Sequence, residues 1–265
     1  MATKADTQTA ERVPFKPNWW ARAGWTLAIV YAAYAAEILD VSYSRFVQGL
    51  GNGAAFINDM IPANFSRWEL LLENLLETIE IAVIASAFGV LFSLPVGLLA
   101  ARNLMPVWVT WPFRTFIALC RSFHPVIFAI LFVKAVGFGP LAGILTLIFA
   151  SIGFIGKLFA EAIEEISLKP LEALRAAGAP FISVITYAVL PQVLNRFIGF
   201  ASYQLDANLR NSTMVGIVGA GGIGGTLFAA FQRFDYDFLA AILISIITLV
   251  MVSEFISVRV KKVFR

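Results

Sequence analysis

The sequence predicts an all-α membrane protein of about six transmembrane helices, and three observations carry that prediction. Of the 265 residues, 59% are hydrophobic and 14% charged, whereas a soluble domain is nearer ~25% charged. The apolar residues are gathered into runs close to the roughly 20 that a helix needs to cross hydrocarbon. Those runs lack the period of two that marks a strand, and they are too long for one.

Taken in order, the first run is "AGWTLAIVYAAYAAEILDV", residues 23–41. It starts late and is followed by "SYSRF", not by a small-x-small cleavage site, so it reads as a retained span. Trp19, Trp20 and Trp25 supply an aromatic belt at its cytoplasmic end. The second run covers 78–101. The third, about 115–136, follows "WVTWPFRTFIALCRSFHP", where Pro112 and Pro125 bracket an amphipathic piece expected to lie along the inner surface. The fourth is about 139–158 and the sixth 238–258. The fifth, about 190–210, is the most polar. Gln192, Asn195, Arg196, Ser202, Tyr203, Gln204, Asp206 and Asn208 cannot all face lipid, since an ionisable group there costs several kcal/mol. That helix must face protein or water.

Six spans leave both termini on one side, and the basic residues choose which. With the termini inside, thirteen Lys and Arg, from Lys4, Arg12 and Lys16 to Arg265, fall in cytoplasmic segments. Five (Arg45, Arg67, Lys134, Arg210 and Arg233) fall outside. Both termini are therefore expected in the cytoplasm. The net charge of +3 is too small to suggest a nucleic-acid partner. A single cysteine, Cys120, excludes an intrachain disulfide, and with one histidine, His124, the chain lacks the ligands of a zinc centre.

The loop between the fourth and fifth spans carries the clearest motif. In "LKPLEALRAAGAP", Pro170 suits a first helical turn, and Glu172, Leu174, Arg175 and Ala173, Ala176 and Ala177 are good helix formers. Gly178 suits the helix end or a close backbone approach. A short helix with a small-residue face, projecting from a membrane bundle, fits a groove on a partner protein. The stretch "EALRAAGAPFISVITYAVLP" resembles the coupling motif of ABC importer permeases, E-A-A, three residues, Gly, nine residues, I-x-L-P. Glu172, Ala173, Gly178, Leu190 and Pro191 match; Leu174 and Ala188 replace an alanine and an isoleucine, apolar for apolar. The resemblance implies a pair of coupling helices over about 168–186, with Glu172, Ala173, Arg175, Gly178, Leu190 and Pro191 at the contact with an ATPase.

A wider likeness, over about 70–265 and strongest over 157–226, is to the permease of phosphonate-uptake ABC transporters, whose close relatives import phosphite or phosphate. It implies a type I importer permease fold in a bacterial inner membrane. Residues 1–70 would hold the first span and an external loop, and 71–265 the permease core. The implied partners are a second copy of the chain, two cytoplasmic ATPases that bind ATP and Mg, and an external solute-binding protein. No cofactor is expected in this chain. Phosphonate, or a related phosphorus oxyanion, would be the cargo; phosphate, phosphite or a methionine-type solute is the alternative. "RSFHP" has one residue more than the R-S-x-P of similar permeases, so no role passes to Arg121 or His124.

Near the end, "NSTMVGIVGAGGIGGT" places Gly219, Gly221 and Gly224 at the spacing of a dinucleotide-binding turn. That turn needs a preceding strand and a βαβ unit, and a P-loop needs a lysine where Gly225 stands. The expectation is instead an unwound segment lining a path or outer gate, 211–225. There Arg210, Asn211, Ser212, Thr213 and the backbone at Gly219, Gly221, Gly222 and Gly224 help an anion pass. Close helix packing is the plainer alternative. Glu161, Glu164 and Glu165 read as a solvated acidic face. An intramembrane enzyme would need a nucleophile with a positioned base or paired carboxylates at depth, and the spans hold no such set at helical spacing.

Overall fold

The computed structural model describes residues 19–39 and 42–263, with side chains up to 259. The basic residues Lys4, Arg12, Lys16 and Arg265, and both termini, lie outside the described residues. All regular structure among the described residues is helical: α1 (Trp19–Ile38), α2 (Tyr43–Asp59), α3 (Trp68–Ala100), α4 (Val107–Ser122), α5 (Pro125–Val136), α6 (Pro140–Glu164), α7 (Lys169–Ala176), α8 (Phe181–Val184), a π turn (Ile185–Val189), α9 (Leu190–Ile217), α10 (Ile223–Gln232) and α11 (Tyr236–Val263). Four stretches are long and apolar enough to cross a membrane: Trp68–Ala100, Pro140–Glu164, Phe181–Ile217 and Tyr236–Arg259. The number rises to six if α1 with α2, and α4 with α5, each count as one. The chain is a multi-pass membrane protein.

The chain divides into two compact units, 1–57 and 58–265. In the first, α1 exposes Trp19, Trp20 and Trp25, and α2 occupies a stretch expected as loop. In the second, α6 is the axis on which α3, α4, α5 and α9 pack. Its sequence explains why. Ala142, Gly143, Thr146, Ser151, Gly153, Gly156 and Ala160 are small and buried, so neighbouring backbones approach closely, as helices in lipid require. A Cβ on Gly97 would meet Phe159 at 2.7 Å and the Gly156 carbonyl at 3.1 Å.

Two spans are irregular. The third breaks by 94° between α4 and α5. Phe123 and His124 are extended, Pro125 opens α5, and the His124 Nδ1 accepts the Val126 N–H at 3.4 Å. Proline disfavours helix in the residue before it, which ends α4 there. Pro112 does not bracket α4 but lies inside it. The fifth span is far longer than expected, running unbroken from Phe181 to Ile217 through the π turn. There the Leu190 N–H reaches the Ile185 carbonyl, five residues back. Pro191 follows with no N–H to give, so the helix widens by one residue where its ordinary ladder is interrupted.

Apolar clusters stand at both ends of the second unit. At the α7 end, Phe159, Ile163, Leu171, Val184, Val189 and Val193 pack together; at the other, Ile81, Ala85, Ala142, Leu147, Val215 and Ala220 do so. A polar clamp closes the second end. The Asn64 amide donates to the Asp237 carboxylate at 3.0 Å, while Arg67 pairs with Asp235 and lies over the Phe238 ring.

Candidate functional site

α7 projects from one end of the bundle. Leu171 is buried and Leu174 half-buried, which fixes one face, while Glu172, Ala173, Arg175, Ala176 and Ala177 are exposed on the other. The helix ends as a Schellman motif: the Gly178 N–H donates to the Arg175 carbonyl and the Ala179 N–H to the Leu174 carbonyl, both at 3.0 Å. Gly178 has φ +76°, and a Cβ there would meet nothing within 4 Å. Conformation, not crowding, requires this glycine. The second member of the expected helix pair is not separate. α8 and the π turn are the start of the long fifth span, and α7 packs on that turn. Leu190 is half-buried and Pro191 exposed on the same corner.

The corner is braced from three directions. The Gln192 amide donates to the Ala188 carbonyl at 2.6 Å, and its oxygen accepts the Ser167 N–H at 3.1 Å, tying α9 to the segment that leads into α7. Arg196 pairs with Glu165 at 2.6 Å. Glu164 pairs with Arg114 and accepts the Arg102 N–H at 2.7 Å, while Glu161 meets Lys157 at 3.4 Å. The acidic face is exposed at Glu161 and Glu165, as expected, and each of the three carboxylates also takes a basic partner. Among the described residues no group of His, Cys, Asp and Glu could hold a metal ion.

At the opposite end, Arg210 to Thr213 lie within α9, not in an unwound segment. Arg210 pairs with Asp206 at 2.7 Å, and Asp206 also accepts from Ser253 at 3.2 Å. Asn211 is half-buried, and the buried Ser212 hydroxyl donates to the Leu209 carbonyl. Only Val218 to Gly222 leave the helix. α9 ends as α7 does: the Gly219 N–H donates to the Gly216 carbonyl at 2.9 Å and the Ala220 N–H to the Val215 carbonyl at 3.3 Å. Here the glycines are also crowded. A Cβ on Gly219 would strike Phe138, on Gly221 it would meet Glu77 Oε1 at 2.9 Å, on Gly222 Thr78 Oγ1 at 2.6 Å, and on Gly224 the Thr213 carbonyl. Most turn amides are already used. Val218, Gly219, Ala220, Ile223 and Gly225 all donate within the protein, Ile223 to Thr78 Oγ1 at 2.8 Å. The supply of free N–H groups for an anion is smaller than the sequence suggested. The segment follows a helix, so the nucleotide-turn reading fails on its structural context.

Between the two ends runs a buried polar seam that sequence reasoning did not assemble. The Asn208 amide donates to Ser86 Oγ at 2.9 Å and Ser151 Oγ at 3.0 Å; the Gln204 amide donates to Ser151 Oγ and Asn208 Oδ1, both at 3.0 Å. One asparagine thereby joins α3, α6 and α9. A glycine on α3 makes room: a Cβ on Gly89 would overlap Ser151. The signal was the pair of amides four residues apart on the fifth span, with serines at Ser86 and Ser151 inside two apolar runs.

Comparison with known proteins agrees with this architecture. The family of binding-protein-dependent transport system inner membrane components matches residues 93–264. The phosphite transport system permease protein PtxC of Stutzerimonas stutzeri is 37% identical over 257 residues, covering 95% of this chain and 92% of that one. The phosphate-import permease protein PhnE of Mycolicibacterium smegmatis is 41% identical over 200 residues, 75% of this chain and 38% of that one. Among solved structures, an inward-facing MetNI methionine ABC transporter shares the fold, with a TM-score of 0.66 at 24% identity over 76% of this chain and 99% of that one. The chain belongs to the binding-protein-dependent transport system inner membrane components. It is a permease subunit, and the enzyme reading is set aside.

Proposed function

We propose that this permease carries a phosphorus oxyanion inward, with phosphite as its first cargo rather than the phosphonate that the motif likeness suggested. The observation that carries the reading is the identity with a phosphite system permease along 95% of this chain. Phosphate is the second reading, from the 41% identity with a phosphate-import permease. In this reading two copies of the chain form the path, two cytoplasmic ATPases bind ATP and Mg, and an external binding protein delivers the anion. Both termini and α7 face the cytosol.

The geometry supports a mechanical role for α7. Its exposed face of Glu172, Ala173, Arg175 and Ala176 offers small and charged groups to a groove, while Leu171 is 1% exposed and anchors it in the bundle. Force applied to that face passes to the long fifth span through the packed π turn and the Gln192 brace, and α9 moves as a rigid rod. At its far end the Gly219–Gly222 turn, with Arg210, Asn211, Ser212 and Thr213 on the last turns of α9, is the outer gate. The turn's contacts with Glu77, Thr78 and Phe138 would be the ones broken on opening.

The test is reconstitution. The permease, its ATPases and its binding protein are placed in vesicles, and ATP hydrolysis is measured with phosphite, phosphate, methylphosphonate or methionine on the binding protein. Stimulation by phosphite above the others is expected. Stimulation by methionine alone would overturn the cargo class, and stimulation by methylphosphonate above phosphite would restore the earlier preference.

A further inference from the structure

Two helical faces meet at the α7 end of the bundle. On α4, Arg114, Ile117, Ala118 and Arg121 stand at i, i+3, i+4 and i+7, one stripe. Lys157, Ala160 and Glu161 form the facing stripe of α6, with Glu164 one turn on. Together with Ala100 and Ser122 they line a cavity of about 410 Å³. Small residues at its centre leave the space, and charged ones stand around it.

The charges are graded along the cavity. At the mouth, Arg114 pairs with Glu164 and also donates to the Ala100 carbonyl at 2.9 Å. One step deeper, Lys157 meets Glu161 at 3.4 Å. Deepest is Arg121, whose stem lies against Gly153: a Cβ on that glycine would meet the Arg121 Cγ at 2.9 Å. Gly153 is eleven residues from the Glu164 end of α6, about 16 Å along the axis, which is close to mid-span. Arg121 makes no ion pair or hydrogen bond among the described residues, and it is exposed. An arginine at that depth cannot be left to lipid, because the bilayer interior penalises it heavily. It needs water or an anion. Its planar fork is suited to two oxygens of one phosphorus oxyanion, and the cavity beside it is far larger than such an ion requires.

We propose that Arg121, with Lys157 and Arg114 below it, forms a cationic relay in the α4–α6 cavity that binds the phosphorus oxyanion midway through the membrane and hands it toward the α7 end. The relay rests on the cargo class proposed above and adds where that cargo is held. Arg121 binds because no described residue neutralises it. Lys157 and Arg114 bind less firmly because Glu161 and Glu164 compete for them, so an anion that the conformational change displaces from Arg121 is passed on and released quickly at the α7 end. A phospholipid headgroup shares this chemistry and is the other possible source of the anion.

The experiment uses the intact complex in vesicles. Cys120 is the only cysteine, so Cys120→Ala with Ser122→Cys places a single thiol in the cavity wall. Its modification by an anionic and by a cationic methanethiosulfonate is timed, with and without sodium phosphite or phosphate, in phosphatidylcholine vesicles and in vesicles containing phosphatidylglycerol. The relay predicts faster reaction with the anionic reagent, protection by free phosphite, and loss of both on Arg121→Gln. Arg121→Lys should keep part of each, and Lys134→Gln, the same charge change outside the cavity, should keep all. Phosphite uptake by Arg121→Gln should fall about tenfold, the loss of one good charged contact. Equal rates for the two reagents, or protection that survives Arg121→Gln, would overturn the relay. So would protection by phosphatidylglycerol but not by free phosphite, which would make the cavity a lipid seat. The failures are distinguishable: if the unaltered complex imports no phosphorus oxyanion, the cargo reading falls; if it imports phosphite and Arg121→Gln does so equally well, only the relay falls.

Discussion

α7 and α9 end in the same backbone device, a Schellman motif closed by a left-handed glycine, Gly178 in one and Gly219 in the other. Their surroundings are opposite. Around Gly178 an added Cβ meets nothing within 4 Å, whereas from Gly216 to Gly224 it meets a carbonyl, a hydroxyl or a ring at nearly every glycine. One turn leaves its outer face open to another molecule. The other is filled by its own chain, with α3, α6 and α9 all reaching into it. A glycine in a sequence does not say which of these it serves; only the neighbours do.

The comparison can be broken most forcefully at Gly224. Replacing it with valine drives a side chain into the Thr213 carbonyl, a backbone group that cannot swing aside. A loss of about 3 kcal/mol or more is expected, read as a collapse in the yield of monodisperse protein and a fall in Tm. Gly221→Val presses on the Glu77 carboxylate at 2.9 Å and the Pro140 backbone at 3.0 Å, Gly222→Val on the Thr78 hydroxyl at 2.6 Å, and both sit at positive φ. A smaller fall in Tm than at Gly224 is expected, leaving protein that assembles with its ATPases yet fails to import. Normal uptake by either would remove the turn from the gate.

Next in size is the seam. Asn208→Leu strips Ser86 of its amide donor and Ser151 of one of its two, and should cost about 1 kcal/mol, the usual scale for such bonds between membrane helices. Ser86→Ala with Ser151→Ala, measured alone and combined with Asn208→Leu, should show less than additive losses. Additive losses would mean that the three do not act as one joint.

At the open turn, Gly178→Val should cost about 1–2 kcal/mol for the left-handed backbone alone, and Gly178→Asn distinctly less. Equal losses would mean that space, not conformation, constrains the site, and the contrast with Gly219 would dissolve. The smallest effect on stability is expected at Glu172→Ala and Arg175→Ala, within about 0.5 kcal/mol because both side chains are exposed. Those same changes should abolish binding-protein-stimulated ATP hydrolysis while the permease keeps its Tm. A Tm drop in step with lost hydrolysis would make the face structural.

The membrane spans were legible because length and hydropathy are local properties. So was the break after Phe123, in part, because Pro125 announces it; its sharpness was not, since an angle depends on what α5 packs against. The start and end of α7 could be read from Pro170 and Gly178. The seam could not, because Ser86, Ser151 and Asn208 are far apart along the chain and meet only after three helices have docked. That Glu161, Glu164 and Glu165 form a partly solvated face was legible, but not that Glu164 and Glu165 are paired, because Arg114 and Arg196, on other helices, are invisible to a reading of one segment. The outer glycines misled in the opposite direction. Their spacing mimics a nucleotide turn, while their use is set by how close Thr78, Phe138 and Pro140 come.

The widened turn at Ile185–Val189 has a geometric corollary. One surplus residue in a helix amounts to a phase change of about 100° and a 1.5 Å advance for everything downstream. The wide turn absorbs that change, so Val193, Phe197, Gln204 and Asn208 keep the phase of an uninterrupted helix in spite of the surplus. Deleting one residue from 185 to 189 would restore a regular coil there and leave the amides facing both serines, whereas inserting one further residue just after the turn would rotate them away.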